Sequence, residues 1–197
     1  MTEILPSNLS FCNADCFNPV DYDKLKNNKT LIDDYIESII IDNNFIKTNI
    51  LNLLLNNLDT AEVTLLIIEK LSKKYPKYES YLIDFIPSIL NYMSDKKYTN
   101  LQIQLHITAK EIINIVSIYA TDKIQKYLFD GISSNNWQTK MLALELLGQF
   151  SDKSVIPFSK TLSNVMPIVS NTIWDTKKEV KEISKKTLLK SMNTCQN

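Results

Sequence analysis

The sequence predicts an all-α protein built from stacked pairs of helices, and three observations support this fold class. The 197-residue chain contains only two glycines, Gly131 and Gly148, so it lacks the tight turns that many short strands require. Long stretches place apolar residues at the three- and four-residue spacing of an amphipathic helix. A bulky apolar residue also precedes a predicted helix at regular intervals, which indicates a structural repeat.

The N-terminal part of the chain divides into a leader and the start of the helical array. Residues 1–28 mix prolines, asparagines and scattered apolar residues without a sustained period, so we expect a poorly ordered or docked leader. The helical array is predicted to span residues 29–193. Its first helix begins at Thr30 and its second begins near Asn44, with apolar residues in helical register in both.

The next two helices are predicted from apolar spacing and from proline positions. The third begins near Asp59 and ends before Pro76, and it is expected to bury Val63, Leu66, Ile67 and Leu71. The fourth spans residues 80–93 and contains Pro87, whose missing N–H should bend the helix. Pro167 is expected to repeat this bend later in the chain.

Two secondary structures compete for the stretch 99–118. An alternation typical of a half-buried strand is formed by Leu101, Ile103, Leu105 and Ile107. We favour a helix, because no turn residue interrupts the run and because Leu105, Ile112 and Val116 continue one apolar face. Further helices are predicted at about 121–132, 137–150 and 159–172.

The clearest helix signal is the segment NTIWDTKKEVKEISKKTLLKSM at 171–192. Thr176 stands three residues before Glu179, which is the spacing of a capping box. Trp174 precedes this pair and can fold onto the first turn. Trp137 and Trp174 could stack on bases, but their regular position ahead of helices favours packing. One side of the helix carries Val180, Ile183, Thr187 and Leu188, and the lysines gather mainly on another side.

A repeat of about 40 residues relates the predicted helices. The bulky residues that precede them are Leu58, Tyr98, Trp137 and Trp174, at separations of 40, 39 and 37 residues. A period of this length made of two helices is typical of HEAT or armadillo arrays, in which neighbouring pairs stack to bury their apolar faces. The predicted fold is therefore an α-solenoid of antiparallel helix pairs.

Charge is balanced over the whole chain but not along it. Residues 30–63 carry six acids against one lysine, whereas the part from Trp137 onward carries nine lysines against five acids. The basic part permits contact with phosphate or with an acidic partner. Every basic residue other than His106 is a lysine, so the bidentate contacts by which arginine reads guanine are absent. Sequence-specific DNA binding is not expected.

No set of residues predicts an enzyme, a metal site or a cofactor site. Cys12 and Cys16 could hold a metal, but a tetrahedral site needs four donors and the only histidine, His106, lies 90 residues after Cys16. No nucleophile or acid motif accompanies His106, so it is interpreted as a partly exposed helix residue. The three cysteines are an odd number and lie near the two ends of the chain, so we expect reduced thiols in the cytoplasm and no disulfide framework. No apolar run is long enough to span a membrane, so we expect a soluble protein that does not enter membranes.

Three segments resemble the N-terminal HEAT region of fungal translation elongation factor three. They are YLIDFIPSIL at 81–90, NNWQTKMLALELL at 135–147 and MPIVSNTIWDTKKEVK at 166–181. The resemblance covers about residues 59–192, and WDTKKEVK is its most specific part. The segments NWQTK and ELLG are also similar to the translational activator of the amino-acid-starvation kinase.

The resemblance implies a ribosome-facing solenoid. In the elongation factor family this region contacts the small subunit, and separate ATPase cassettes power the release of spent tRNA. A phosphate-binding P-loop needs closely spaced glycines that Gly131 and Gly148 cannot supply, so the ATPase activity is not transferred to these residues.

The expected partner is the ribosome, through ribosomal RNA or a ribosomal protein, or else another protein. The candidate partner-binding residues are Lys177, Lys178, Lys181, Lys185, Lys186 and Lys190. The alternative for the same lysines is a solvated face, since an end repeat needs a polar outer surface for solubility. The alternative function is a protein–protein scaffold with no ribosome contact, whose concave surface holds its partner.

Overall fold

The computed structural model describes residues 58–153 and 155–193, together with Ile32, Asp33 and Ile36. These residues form α-helices and short 3₁₀ turns, and no strand occurs among them. The α-helices are α1 (Leu58–Lys74), α2 (Glu79–Leu82), α3 (Ile86–Tyr92), α4 (Gln102–Ile115), α5 (Thr121–Ile132), α6 (Trp137–Lys153), α7 (Val155–Thr172) and α8 (Lys178–Asn193). The predicted leader, the cysteines and most of the first two predicted helices lie outside the described residues.

The helices form the two layers of an α-solenoid, as the repeat predicts. In one layer α1, α4, α6 and α8 lie side by side, and in the other α3, α5 and α7 do so. Between the layers α3 packs on α4, α5 on α6, and α7 on both α6 and α8. One continuous apolar core runs between the layers, because each pair buries its apolar face only by stacking on its neighbours.

The stretch 99–118, for which a strand and a helix compete, is α-helical from Gln102 to Ile115, so Val116 lies just beyond the end of the helix. Leu105 and Ile112 are fully buried in the core, whereas Ile103 is 77% exposed. A strand would place Ile103 and Leu105 on the same face, because residues two apart share a face of a sheet. Tertiary burial therefore confirms the helical interpretation of α4.

Proline affects the two helices that contain it differently. The segment with Pro87 is interrupted by a 3₁₀ turn at Ile83–Phe85, between α2 and α3. The physical reason is that Pro87 has no N–H to donate to the carbonyl of Ile83, four residues earlier. In contrast, α7 continues through Pro167 without such an interruption.

Buried threonines tie neighbouring repeats together. The Thr108 hydroxyl of α4 donates to the Leu65 carbonyl of α1 at 3.2 Å. The Thr187 hydroxyl of α8 donates in the same way to the Leu144 carbonyl of α6 at 2.8 Å. Because a buried hydroxyl without a partner is costly, each bond favours one register between adjacent helices. These contacts position α8 relative to the rest of the solenoid.

Candidate partner-binding surface

The turn before α8 is organised by Asp175. Its carboxylate accepts a hydrogen bond from the Lys140 ammonium at 2.7 Å and another from the Lys177 backbone N–H at 2.9 Å. The bond from Lys140, and then that from Lys177, hold the pKa of the Asp175 carboxyl below its usual range. The salt bridge to Lys140 joins this turn to the first turn of α6.

The predicted capping box is therefore wrong. No bond joins the Thr176 hydroxyl to the Glu179 N–H within residues 155–193, and α8 begins at Lys178. Instead, the Asp175 carboxylate, which Lys140 also holds, accepts from the N–H of Lys177 two residues later and forms an Asx turn ahead of α8.

The candidate lysines divide between two flanks of α8. Lys178, Lys181 and Lys185 follow one another at three- and four-residue spacing, so they line a single flank. Lys186 and Lys190 lie four residues apart on the other flank. Lys181 is half-buried, whereas the remaining candidates, including Lys177 in the preceding turn, are exposed.

Salt bridges distinguish these lysines further. The Lys190 ammonium contacts the Asp152 carboxylate of α6 at 2.6 Å, so this residue joins two helices. Lys178 and Glu182 approach only to 3.8 Å, and their side chains are 85% and 59% exposed. Within the described part of the chain, no acid forms a salt bridge with Lys177, Lys181, Lys185 or Lys186. The flank of Lys178, Lys181 and Lys185 is therefore the one most available to an external anion, and we call it the lysine flank.

The structure corrects the interpretation of Trp174 as a packing residue. Its side chain is 85% exposed. At the two middle repeat positions Tyr98 is buried and stacks on Tyr92 with ring centroids 4.2 Å apart, and Trp137 packs against the core, whereas Leu58, the first of the series, is 43% exposed. Trp174 differs because none of the described helices packs over its ring.

A cluster of titratable groups that the sequence interpretation missed lies between α4 and α6. His106 Nε2 and the Lys110 ammonium each lie 2.7 Å from the Glu145 carboxylate. His106 is only partly exposed, as predicted, but it has an acidic partner 39 residues away. The sole signal for this contact was the repeat period itself, which brings residues about 40 apart side by side.

The Glu145 carboxylate provides a test of the α4–α6 contact. The hydrogen bond from His106 is the largest effect that lowers the pKa of Glu145 from 4.5 to about 2, against the opposing effect of burial. The ionised carboxylate therefore stabilises the fold above pH 4.5, and this stabilisation is lost as the pH falls towards 2. Solvent screens part of this stabilisation, because the Glu145 side chain is 33% exposed.

We expect Glu145→Gln to lower the free energy of unfolding at pH 7 by about 1–2 kcal/mol. Urea unfolding at several pH values should show the variant and the unmodified protein converging as the pH falls below 4.5. Glu182→Gln is the control, because its weak contact with Lys178 is exposed. A difference that persists unchanged at low pH would assign the effect to packing instead of charge.

Neither a metal site nor a membrane-spanning helix is supported by the described part of the chain. No group of three or more His, Cys, Asp or Glu side chains in residues 58–153 and 155–193 is placed to hold a metal ion. The candidate ligands Cys12 and Cys16 lie outside the described residues. None of the described helices is both long enough and apolar enough to cross a membrane.

Residues 26–188 match the family model described as EF3 N-terminal HEAT repeat. The chain belongs to this family. It is 31% identical to elongation factor 3 of Phytophthora infestans over 144 residues, which are 72% of this chain and 14% of that protein. It is 27% identical to elongation factor 3B of Saccharomyces cerevisiae over 123 residues, which are 62% of this chain and 12% of that protein.

This member of the EF3 N-terminal HEAT repeat family thus corresponds to only a small part of its relatives. It is 33% identical to elongation factor 3 of Gonapodya prolifera over 111 residues, which are 56% of this chain and 10% of that protein. Among solved structures, a crystal structure of an engineered protein matches with a TM-score of 0.50 and 11% identity, over 82% of this chain and 68% of that one. At this identity the structural match concerns the fold alone.

Proposed function

We propose that the chain is a non-catalytic, cytoplasmic HEAT module that acts in translation by attaching to the ribosome through the lysine flank of α8. Membership of the EF3 N-terminal HEAT repeat family is the observation that supports a role in translation. The lysine flank, in which Lys178 and Lys185 are exposed and Lys181 is half-buried, supports an anionic partner, because Lys181 and Lys185 have no acidic partner within the described residues.

The chemistry of lysine determines how such a surface would bind. Each ammonium that approaches a phosphate of ribosomal RNA releases a condensed counterion, so affinity should fall steeply with salt concentration. Lysine acts as a point charge and lacks the planar fork of arginine, so contacts depend little on base sequence. An acidic ribosomal protein would be attracted by the same charges, with salt dependence of the same sign.

The test replaces Lys178, Lys181 and Lys185 together by glutamate. We expect the variant to lose co-sedimentation with purified ribosomes, because the attraction becomes repulsion. The control replaces three other exposed lysines by glutamate. They are Lys77, Lys97 and Lys126, which belong to other helices or turns. Each triple variant lowers the formal net charge by the same amount, so only position differs. Unaltered co-sedimentation of the first variant would refute the assignment of the lysine flank.

The scaffold alternative and the absence of catalysis are tested separately. Recovery of one stable non-ribosomal partner in a pull-down under nuclease treatment, without ribosome association, would favour a scaffold. ATP hydrolysis by the purified chain would contradict the proposed non-catalytic role.

A further inference from the structure

The exposed ring of Trp174 sits in a turn whose backbone is held on both sides. The Trp174 N–H donates to the Asn171 carbonyl at 3.3 Å, and the Asp175 N–H donates to the Thr172 carbonyl at 3.1 Å. The Ser184 hydroxyl of α8 donates to the Thr172 hydroxyl at 2.8 Å. Together with the salt bridge between Asp175 and Lys140, these bonds fix the backbone that presents the indole. A fixed backbone reduces the entropy that binding must overcome.

The chain that follows Trp174 is charged and polar. Asp175 comes first and pairs with Lys140, and the next three residues, Thr176, Lys177 and Lys178, are all exposed. The exposed apolar residues of α8 itself, Leu189 and Met192, lie near the opposite end of the helix, and the distance from Lys178 to Leu189 along the axis is about 16 Å. Trp174 is therefore not part of an apolar patch formed by α8.

This environment favours one class of partner over another. Aromatic anchors in protein interfaces lie in apolar, desolvated centres ringed by other contacts. Proteins that bind single-stranded nucleic acid instead place aromatic rings beside cations, so that bases stack on the rings and the cations follow the phosphates. Duplex RNA keeps its bases stacked internally and offers no free face for the indole.

We infer that Trp174 stacks on an unpaired base of single-stranded RNA, while Lys177 and Lys178 contact the flanking phosphates. This inference rests on the proposed attachment to the ribosome and specifies an unpaired RNA segment as the partner at this turn. Stacking on the indole is tolerant of base identity, which is compatible with a chain that has no arginine to read base edges.

The experiment measures binding of a short fluorescein-labelled oligoadenylate to the full chain. Trp174→Ala is expected to weaken binding about tenfold, whereas Trp174→Phe, which keeps an aromatic ring, should bind within about threefold of the unmodified protein. The exposure of Trp174 means that both variants should keep the thermal unfolding midpoint. Affinity of Trp174→Ala within twofold of the unmodified protein would overturn the inference.

A second measurement separates stacking from charge. In a Trp137→Phe background Trp174 is the single tryptophan, so oligoadenylate should quench the fluorescence that remains, and polyphosphate should not. Equal quenching by both anions would refute stacking. Loss of ribosome co-sedimentation in Trp174→Ala with unchanged oligoadenylate affinity would assign Trp174 to a protein contact and also refute stacking. Replacement of Lys181 and Lys185 alone by glutamate spares Lys178 of the inferred stacking site and tests ribosome attachment separately, so the two proposals fail by different results.

Discussion

Replacing Leu105 with alanine is expected to lower the free energy of unfolding by about 2–5 kcal/mol, whereas Ile103→Ala should change it by less than about 0.5 kcal/mol. Leu105 is fully buried between the layers, and its truncation removes apolar contacts and leaves a cavity. Ile103, two residues earlier in the same helix, is 77% exposed, so its truncation leaves no cavity. Urea unfolding followed by circular dichroism measures both variants.

The comparison tests the secondary structure of the segment as well as its packing. In a half-buried strand Ile103 and Leu105 would share one face, and the two variants would be destabilised alike. In α4 the helical period separates them, so a large effect is expected at only one position. Similar losses in both variants would contradict the helical layer arrangement.

Gly131→Ala is expected to destabilise the fold by about 1–3 kcal/mol despite the higher helix propensity of alanine. A Cβ at Gly131 would lie 2.9 Å from Ala143 Cβ and 2.9 Å from Leu90 Cδ1. The Leu90 side chain can rotate away, but Ala143 Cβ is fixed to the backbone of α6. The new methyl group therefore forces α5 and α6 apart.

A double-mutant cycle identifies the cause of this loss. Adding Ala143→Gly removes the opposing methyl group, so the double variant should lose less stability than the sum of the two single variants. Gly148→Ala is the matched comparison, because its nearest contact, Thr187 Oγ1, lies at 3.3 Å and requires only a small shift. Additive losses at Gly131 and Ala143 would show that helix separation is not the cause. The measurement compares the urea concentrations at the unfolding midpoints of the variants, at an unchanged slope m of the free energy of unfolding against urea concentration.

Much of the fold follows from local patterns in the chain. The apolar spacing placed α4, α5 and α6 close to their observed positions, and the repeat of bulky residues before helices predicted the layered solenoid. The predicted effect of Pro87 is local too, because the loss of one N–H acts on the carbonyl four residues earlier. Local patterns suffice here since helical period and backbone bonding depend on nearby residues.

The candidate surface was less predictable. The lysines were recognised from sequence, but their separation into an available flank and a residue that pairs with Asp152 depends on a contact between α6 and α8. The exposure of Trp174 also contradicts the expectation from its repeat position, since Tyr98 and Trp137 pack inward. The partner of His106 is a third case, because Glu145 lies on the neighbouring helix.

The helical class, the period of about 40 residues and the basic character of the last helix follow from the order of the amino acids alone. The contact between His106 and Glu145 and the exposure of Trp174 depend instead on how the helices stack. The physical reason is that helix formation depends on residues three and four apart, whereas burial and salt bridges depend on which helix is stacked alongside.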